Sequence, residues 1–382
     1  MDSRRVGAEV DPKEIQAILQ LKGLPGVGDR SIANLIREQG SGVKALRAAQ
    51  ALGLGRGRGR RGDPRTSGGT AEVAGATSSG PPAPADWVRQ GIEVLPMSSP
   101  RFPPLLLELS DPPPLLFLQG QTDLLSRPAV AIVGSRKATE TGRRVSETVA
   151  RILAEAGVAV VSGMARGIDG AAHRGALSGG GKTLGVLGSG IGVIYPSCNR
   201  PLFKDVADRG LLVSEFLPGE GARAHHFPKR NRIIAAMARA VVVVEAGERS
   251  GALITVDHAL DLGREIFAVP GSLENPQARS SNLLLRDGAR PLIRPESILE
   301  EIEHLFPEGF SGGGGAEGSV SVSSEVPSEF RALWEILRAE PRGIGDLARE
   351  AGVAPEEALS GLSVLELGGW VVQCPGMRFQ RR

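Results

Sequence analysis

Six short apolar runs, each beginning 25 to 30 residues after the last, occupy the middle of this 382-residue sequence and leave few folds open to it. They are Val130-Ala131-Ile132-Val133, Val158-Ala159-Val160-Val161, and residues 183–187, 211–214, 241–244 and 266–269. Helix-compatible sequence fills most of the gaps. A strand–helix alternation with that period is what a doubly wound parallel sheet requires. The 241–244 run is Val at every position rather than alternating, as a strand covered on both faces must be. The predicted fold class is α/β: a Rossmann-like, doubly wound, mostly parallel sheet. A hydrophobic content of 41% supports a large core, and aromatics at 4% leave it to Ala, Val, Leu and Ile.

Two stretches cannot build a core. Residues 53–85 are rich in Gly, Arg, Ser and Pro, and 307–326 contain Gly312-Gly313-Gly314-Gly315, so both read as flexible linkers. Three folded pieces are expected, over 1–52, 86–306 and 327–382. The first reads as a helix from Pro12 to about Leu21, the turn Leu24-Pro25-Gly26-Val27-Gly28, and a helix over 29–39. That turn resembles a helix-hairpin-helix, in which backbone N–H groups approach a phosphate. An ordinary helical hairpin needs the same glycines for its geometry. The last piece reads as helices over 330–337, 345–350 and 355–367 followed by a hairpin, the pattern of a winged helix. Asp346 and Glu350 flank Arg349 on its second helix, so protein docking is expected there rather than DNA reading.

Ligands of open α/β sheets bind at the carboxyl ends of the strands, and the unusual residues fall there. The first strand leads to Gly134-Ser135-Arg136, with a helix near Thr141. The second leads to Ser162-Gly163-Met164-Ala165-Arg166-Gly167-Ile168-Asp169. The third leads to Gly188-Ser189-Gly190-Ile191-Gly192, and the fifth to Glu245-Ala246-Gly247-Glu248-Arg249-Ser250-Gly251 before a helix from about Leu253. One glycine-rich turn means little, because tight βα turns need glycine for geometry alone. Four on one edge make a cradle of backbone N–H groups for phosphate. A dinucleotide does not fit: no G-x-G-x-x-G follows the first strand, and no acidic residue ends the second.

Residues 223–232 are the most basic stretch, with four cations, no acid, and Phe227 among them. Cations neutralise a backbone while an aromatic face stacks a base, which is what single-stranded nucleic acid requires. The plainer alternative is a solvated loop capping a helix that begins at Asn231. The totals of 45 basic and 43 acidic residues mean that any basic patch is local.

No catalytic set is evident. Asp169 and His173 are four apart on a predicted helix, where they would orient the preceding loop. Glu215, Glu245 and Asp257 read as isolated carboxylates. His225-His226 lacks a third ligand at metal spacing, and Cys198 and Cys374 are too few for a disulfide framework or a zinc site. No cofactor and no metal is expected. No run approaches the about 18 apolar residues that span a bilayer, and the acid-bearing N-terminus is no signal peptide. The expectation is a cytoplasmic protein without a membrane partner.

The ordered motifs resemble those of the DNA processing protein A (DprA/Smf) family. They are 131–136, Ser162-Gly163 with Gly167-Ile168-Asp169, Tyr195-Pro196 with Asn199, and Ser214-Glu215. Phe227-Pro228 with Arg230-Asn231-Arg232, Glu245-Ala246, Arg249-Ser250-Gly251, Pro270-Gly271 and Asn282 ahead of Asp287-Gly288 complete the series. The resemblance covers about 86–306, and agrees with the terminal hairpin and winged helix. It implies a non-enzymatic protein that binds single-stranded DNA, displaces single-strand-binding protein, and loads the recombinase RecA in natural transformation, acting as a homodimer. Carried onto matching positions, the DNA contacts are Arg136, Ser162, Gly163, Lys229, Arg230, Asn231, Arg232 and Ser250. Arg166 and Gly251 in the glycine-rich loops, Phe227 as a stacking face, and Asn282 join them as candidates. Ala252 stands where the family has Ser, and Ser280-Ser281-Asn282 where it has Gly-Cys-Asn. The competing reading is a nucleotide-processing hydrolase of the lysine-decarboxylase-like Rossmann group, whose Pro-Gly-Gly-x-Gly-Thr loop this chain lacks.

Overall fold

The computed structural model describes residues 11–54, 84–307, 330–337, 342–367, 371–374 and 378–381. Almost all of the linkers expected at 53–85 and 307–326 lies outside the described residues. The chain divides into two compact units, 1–312 and 313–382.

The first unit opens with helices α1 (Pro12–Gly23), α2 (Asp29–Gln39), α3 (Gly42–Ala51) and α4 (Pro84–Arg89). Asp11 caps α1 by accepting from the Lys13 N–H, and Pro12 takes the first turn, where its missing N–H costs nothing. Strands β1 (Glu93–Pro96), β2 (Leu115–Gly120), β3 (Ala129–Val133), β4 (Ala159–Ser162), β5 (Thr183–Val186), β6 (Leu211–Ser214), β7 (Ala240–Val243), β8 (Glu265–Ala268) and β9 (Arg290–Pro291) form one sheet. Its order is β1-β2-β6-β5-β4-β3-β7-β8-β9. All six predicted runs are strands, and from β6 through β8 neighbouring strands pair in parallel. Two strands were not anticipated at the β6 edge. The Leu115-Leu116-Phe117-Leu118 run stands outside the βα period, behind three prolines, and pairs antiparallel with both β1 and β6.

Helices α5 (Glu140–Glu155), α6 (Ile168–Ser178), α7 (Arg200–Arg209), α8 (His226–Ala236), α9 (Ala252–Asp261), α10 (Arg279–Arg286) and α11 (Ile298–Ile302) complete the unit. The strand period of two sorts each apolar run between two cores. Val130 and Ile132 of β3 face one layer with Val149, Leu153 and Ala172 of α5 and α6. Ala131 and Val133 face the other, with Ile233 and Ile234 of α8 and Val256 of α9. A strand buried on both sides has no position for a polar residue, which accounts for the unbroken valines of β7. Full burial of each such side chain is worth about 1.5–3 kcal/mol. Ile18, Leu21, Ile32 and Ile36 of the N-terminal helices belong to the second of these cores.

The second unit contains α12 (Arg331–Ile336), β10 (Arg342–Gly343), α13 (Ile344–Ala351), α14 (Pro355–Leu367), β11 (Val371–Cys374) and β12 (Arg378–Arg381). Its strands form a three-stranded sheet in the order β10-β12-β11. Leu333, Leu347, Leu362, Leu365 and Phe379 give it its own core. Three helices and a terminal hairpin make it the winged helix that the sequence predicts.

Candidate nucleic-acid interface

Connections leave β3 toward β4 on one side and return to β7 on the other, so the strand order reverses between β3 and β7. Helices cannot fill the gap between the carboxyl ends of two strands whose connections diverge, and a crevice results. A cleft of about 820 Å³ opens there. Its walls are the 134–137 loop after β3, the first turns of α8 and α9, the 247–251 loop after β7, and the start of α10. Arg136, Lys137, Arg223, Arg230, Arg249 and Arg279 line it, against two carboxylates, Asp169 and Glu248.

Helix α8 decides what the basic stretch does. It begins at His226, not at Asn231 as the alternative reading had it. Pro228 lies in the first turn, where N–H groups have no intrahelical acceptor and proline is tolerated. The cations therefore sit on a helix, and its period separates them. Phe227, Arg230, Asn231 and Ile234 line the cleft. Lys229 and Arg232 instead meet buried Glu215, at 3.2 and 2.6 Å. Lys229 also reaches Asp29 of α2 at 2.7 Å, and Arg232 approaches Asp111 at 3.4 Å. Glu215 is thus the centre of an ion network and not an isolated carboxylate. Burial would raise the Asp29 carboxyl, but Lys22 and Lys229 hold it down at about 2.

Arg230 is 3% exposed. Its Nη1 donates to the Gly163 carbonyl at 2.6 Å and to the Val186 carbonyl. Burial draws its guanidinium down to about 10, with nearby Asp169 opposing and Arg136 adding to the effect, so it stays charged at neutral pH. Glycine at 163 lets the Arg230 guanidinium and the Asp169 carboxylate close on the backbone, where a Cβ would displace both. Ser162 faces inward, its hydroxyl donating to the Ile132 carbonyl at 2.6 Å. Asp169 and His173 both hold the 163–165 loop, as their spacing suggests. Asp169 accepts from the Ala165 N–H and His173 Nε2 from the Met164 N–H, each at 3.4 Å. Met164 has φ 56°, a left-handed conformation uncommon outside glycine. Thr183 Oγ1 donates to the Val160 carbonyl at 3.0 Å, so His173 Nδ1, 2.7 Å away, carries the proton. Burial, then Arg230 and Arg174, push the His173 ring down to about 3.

Glu245 is a second carboxylate with partners. It accepts from the Thr139 N–H at 2.8 Å, the Thr139 hydroxyl at 2.6 Å and Asn275 Nδ2 at 3.2 Å, fixing the loop that carries Arg136. Asp257 is exposed on α9. Asn231 Nδ2 donates to the Gly251 carbonyl at 3.0 Å, joining α8 to the 250–251 wall. Ser250 and Gly251 line the cleft. Asn282 instead brackets Gly271, donating to its carbonyl at 3.0 Å and accepting from its N–H at 3.1 Å. Arg136 is exposed, its guanidinium 5.4 Å from the Phe227 ring, and Tyr195 packs on the same ring at 5.3 Å. Arg166 stands on the rim of a small adjoining pocket shared by Arg136, Tyr195 and Phe227. Among the described residues, no three His, Cys, Asp or Glu side chains gather as metal ligands.

The family model of DNA recombination-mediator protein A matches residues 93–303, and that of the DprA winged helix domain matches 321–377. The chain belongs to the DprA/Smf family. Protein Smf of Escherichia coli is 36% identical over 297 residues, covering 76% of this chain and 78% of that protein. DNA processing protein DprA of Streptococcus pneumoniae is 44% identical over 202 residues, 53% of this chain and 71% of that one. The X-ray structure of the S. pneumoniae protein aligns with a TM-score of 0.54 at 41% identity, covering 57% of this chain and 77% of that chain. DprA of Helicobacter pylori, described for its single-stranded DNA binding mode, aligns with a TM-score of 0.51 at 28% identity, covering 57% and 97%. Lys137 and Arg279 line the cleft of this DprA-family chain without having been named from sequence, and Arg249, named there within its loop motif, joins them as a lining cation. Lys137 was legible as the cation beside Arg136. Arg279 was not, because it stands just ahead of the 280–282 motif and only the fold brings the start of α10 to the cleft.

Proposed function

We propose that this protein is a non-enzymatic binder of single-stranded DNA, with the cleft between β3 and β7 holding the strand. One observation carries the reading: Arg136, Lys137, Arg223 and Arg249 line the cleft without a close ion pair among the described residues, beside the half-buried Phe227 ring. Unpaired cations attract phosphates, and an aromatic face stacks any base. Arg230, Asn231, Ser250 and Gly251 line the same cleft, and Arg166 stands at its margin. Ser162, Gly163, Lys229, Arg232 and Asn282 act through the loops and helix they fix. The DprA kinship supports the next step, in which the protein displaces single-strand-binding protein and loads RecA onto the strand in the cytoplasm during natural transformation. Exposed Leu273 and Leu283, near in sequence to the hydrogen-bonded Gly271 and Asn282, offer an apolar footing for a second copy, and so for a homodimer.

A salt-dependent gel shift comparing single-stranded with duplex DNA of equal length tests the reading. Single-stranded DNA should bind more tightly, with an affinity that falls steeply as salt rises. Equal binding of both forms, or a flat salt response, would remove the proposed groove.

A further inference from the structure

The six cleft cations differ in how they are held. Among the described residues four form no close ion pair, and Arg230 is buried near Asp169. Arg279 alone is bound by an exposed acid. Its Nη1 lies 3.0 Å from Glu248 Oε1, and the two side chains are 57% and 65% exposed. They come from different elements, Glu248 from the loop after β7 and Arg279 from the first position of α10. The backbones behind them are already joined: the Ser280 N–H donates to the Ala246 carbonyl at 2.8 Å, and the buried Ser281 hydroxyl accepts from the Ala246 N–H at 3.0 Å. The Arg279–Glu248 pair is therefore not needed to hold α10 in place, and it opens by side-chain rotation alone.

An exposed ion pair is weakly held, whereas a phosphate offers arginine a short, charge-assisted, bidentate contact. We propose that Glu248 is an electrostatic latch on the cleft. It holds Arg279 in the free protein, yields it to the phosphate of an entering strand, and so limits how tightly the strand is gripped. The inference rests on the DNA-binding reading above and adds to it the residue that restrains affinity. The latch gives the two partners opposite effects. Removing the acid frees a cation and takes a negative charge away from the phosphates; removing the cation loses a phosphate contact. A pair that merely braced the fold would give the same loss from either side.

The test is fluorescence anisotropy of a labelled oligo-dT with the full-length protein across a salt series. Glu248→Gln should tighten binding roughly three- to tenfold at low salt, and Arg279→Gln should weaken it while lowering the log–log salt slope by about 0.7. Both sites are exposed, and thermal melting of each variant checks that the fold is kept. Unchanged or weaker binding by Glu248→Gln, or an unchanged slope in Arg279→Gln, overturns the latch so long as the wild-type protein binds. Failure of the wild-type protein to bind overturns the DNA-binding reading, and the latch with it.

Discussion

Phe227 and Lys229 are two positions apart on α8 and face in different directions, one into the cleft and the other toward Asp29 and Glu215. Substitutions on the two faces should therefore read out differently. Arg136→Ala is expected to weaken oligo-dT binding and to flatten the log–log salt slope by about 0.7, the share of one phosphate contact. Glu215→Gln should leave that slope alone. It breaks a buried pair with Arg232 and should cost about 3–5 kcal/mol in urea unfolding. Equal salt slopes for Arg136→Ala and wild type would contradict this division. The sequence shows these cations as one run; only the pitch of the helix parts them. His173 adds a pH dependence. Its ring is neutral in the fold, with a pKa of about 3 against 6.5 ordinarily. Between those values the unfolded chain binds more protons, so His173's contribution is complete above pH 6.5 and is lost as pH falls toward 3, by up to about tenfold in the folding constant per unit. Urea unfolding at pH 7 and pH 5 should show a shallower pH response in His173→Asn than in wild type.

Elements with a repeating cause were the easiest to read. The six parallel strands follow from their period and the helices between them from the spacing, because burial on two faces forces a distinctive pattern. The antiparallel β1–β2 edge lacked such a pattern. The start of α8 was missed because a proline in a helix's first turn looks, from sequence, like a boundary. The glycines of the cleft were visible, but the reason for Gly163 was not, since Arg230 and Asp169 reach it from other elements. The turn between α1 and α2 has a similar history. Its glycines suggest a phosphate site, yet Asp29 places a carboxylate in the first turn of α2, where the helix dipole favours an anion, and pairs with Lys22 and Lys229. The hairpin is thereby tied to α8. Asp29→Ala should loosen it, raising amide hydrogen exchange across 12–51 while strand affinity keeps its salt slope. Exchange rates there equal to wild type would show that the ion pairs do not anchor the hairpin.

At the scale of the whole molecule, each of the two units has its own core, and all six cleft cations belong to the first. A chain ending before residue 313 should therefore bind oligo-dT with the salt slope of the full protein; a shallower slope would mean that the winged helix supplies phosphate contacts. The far side of the large sheet carries a different message. It ends in β9, two residues long, Arg290 and Pro291. Proline has no amide hydrogen to give, and charged side chains deter a neighbouring chain from docking edge to edge. Copies of this protein therefore have no ladder to climb there. Any contact between copies at that margin would be made through side chains pressed together rather than through a shared pleat, which leaves no template for fibres at that border.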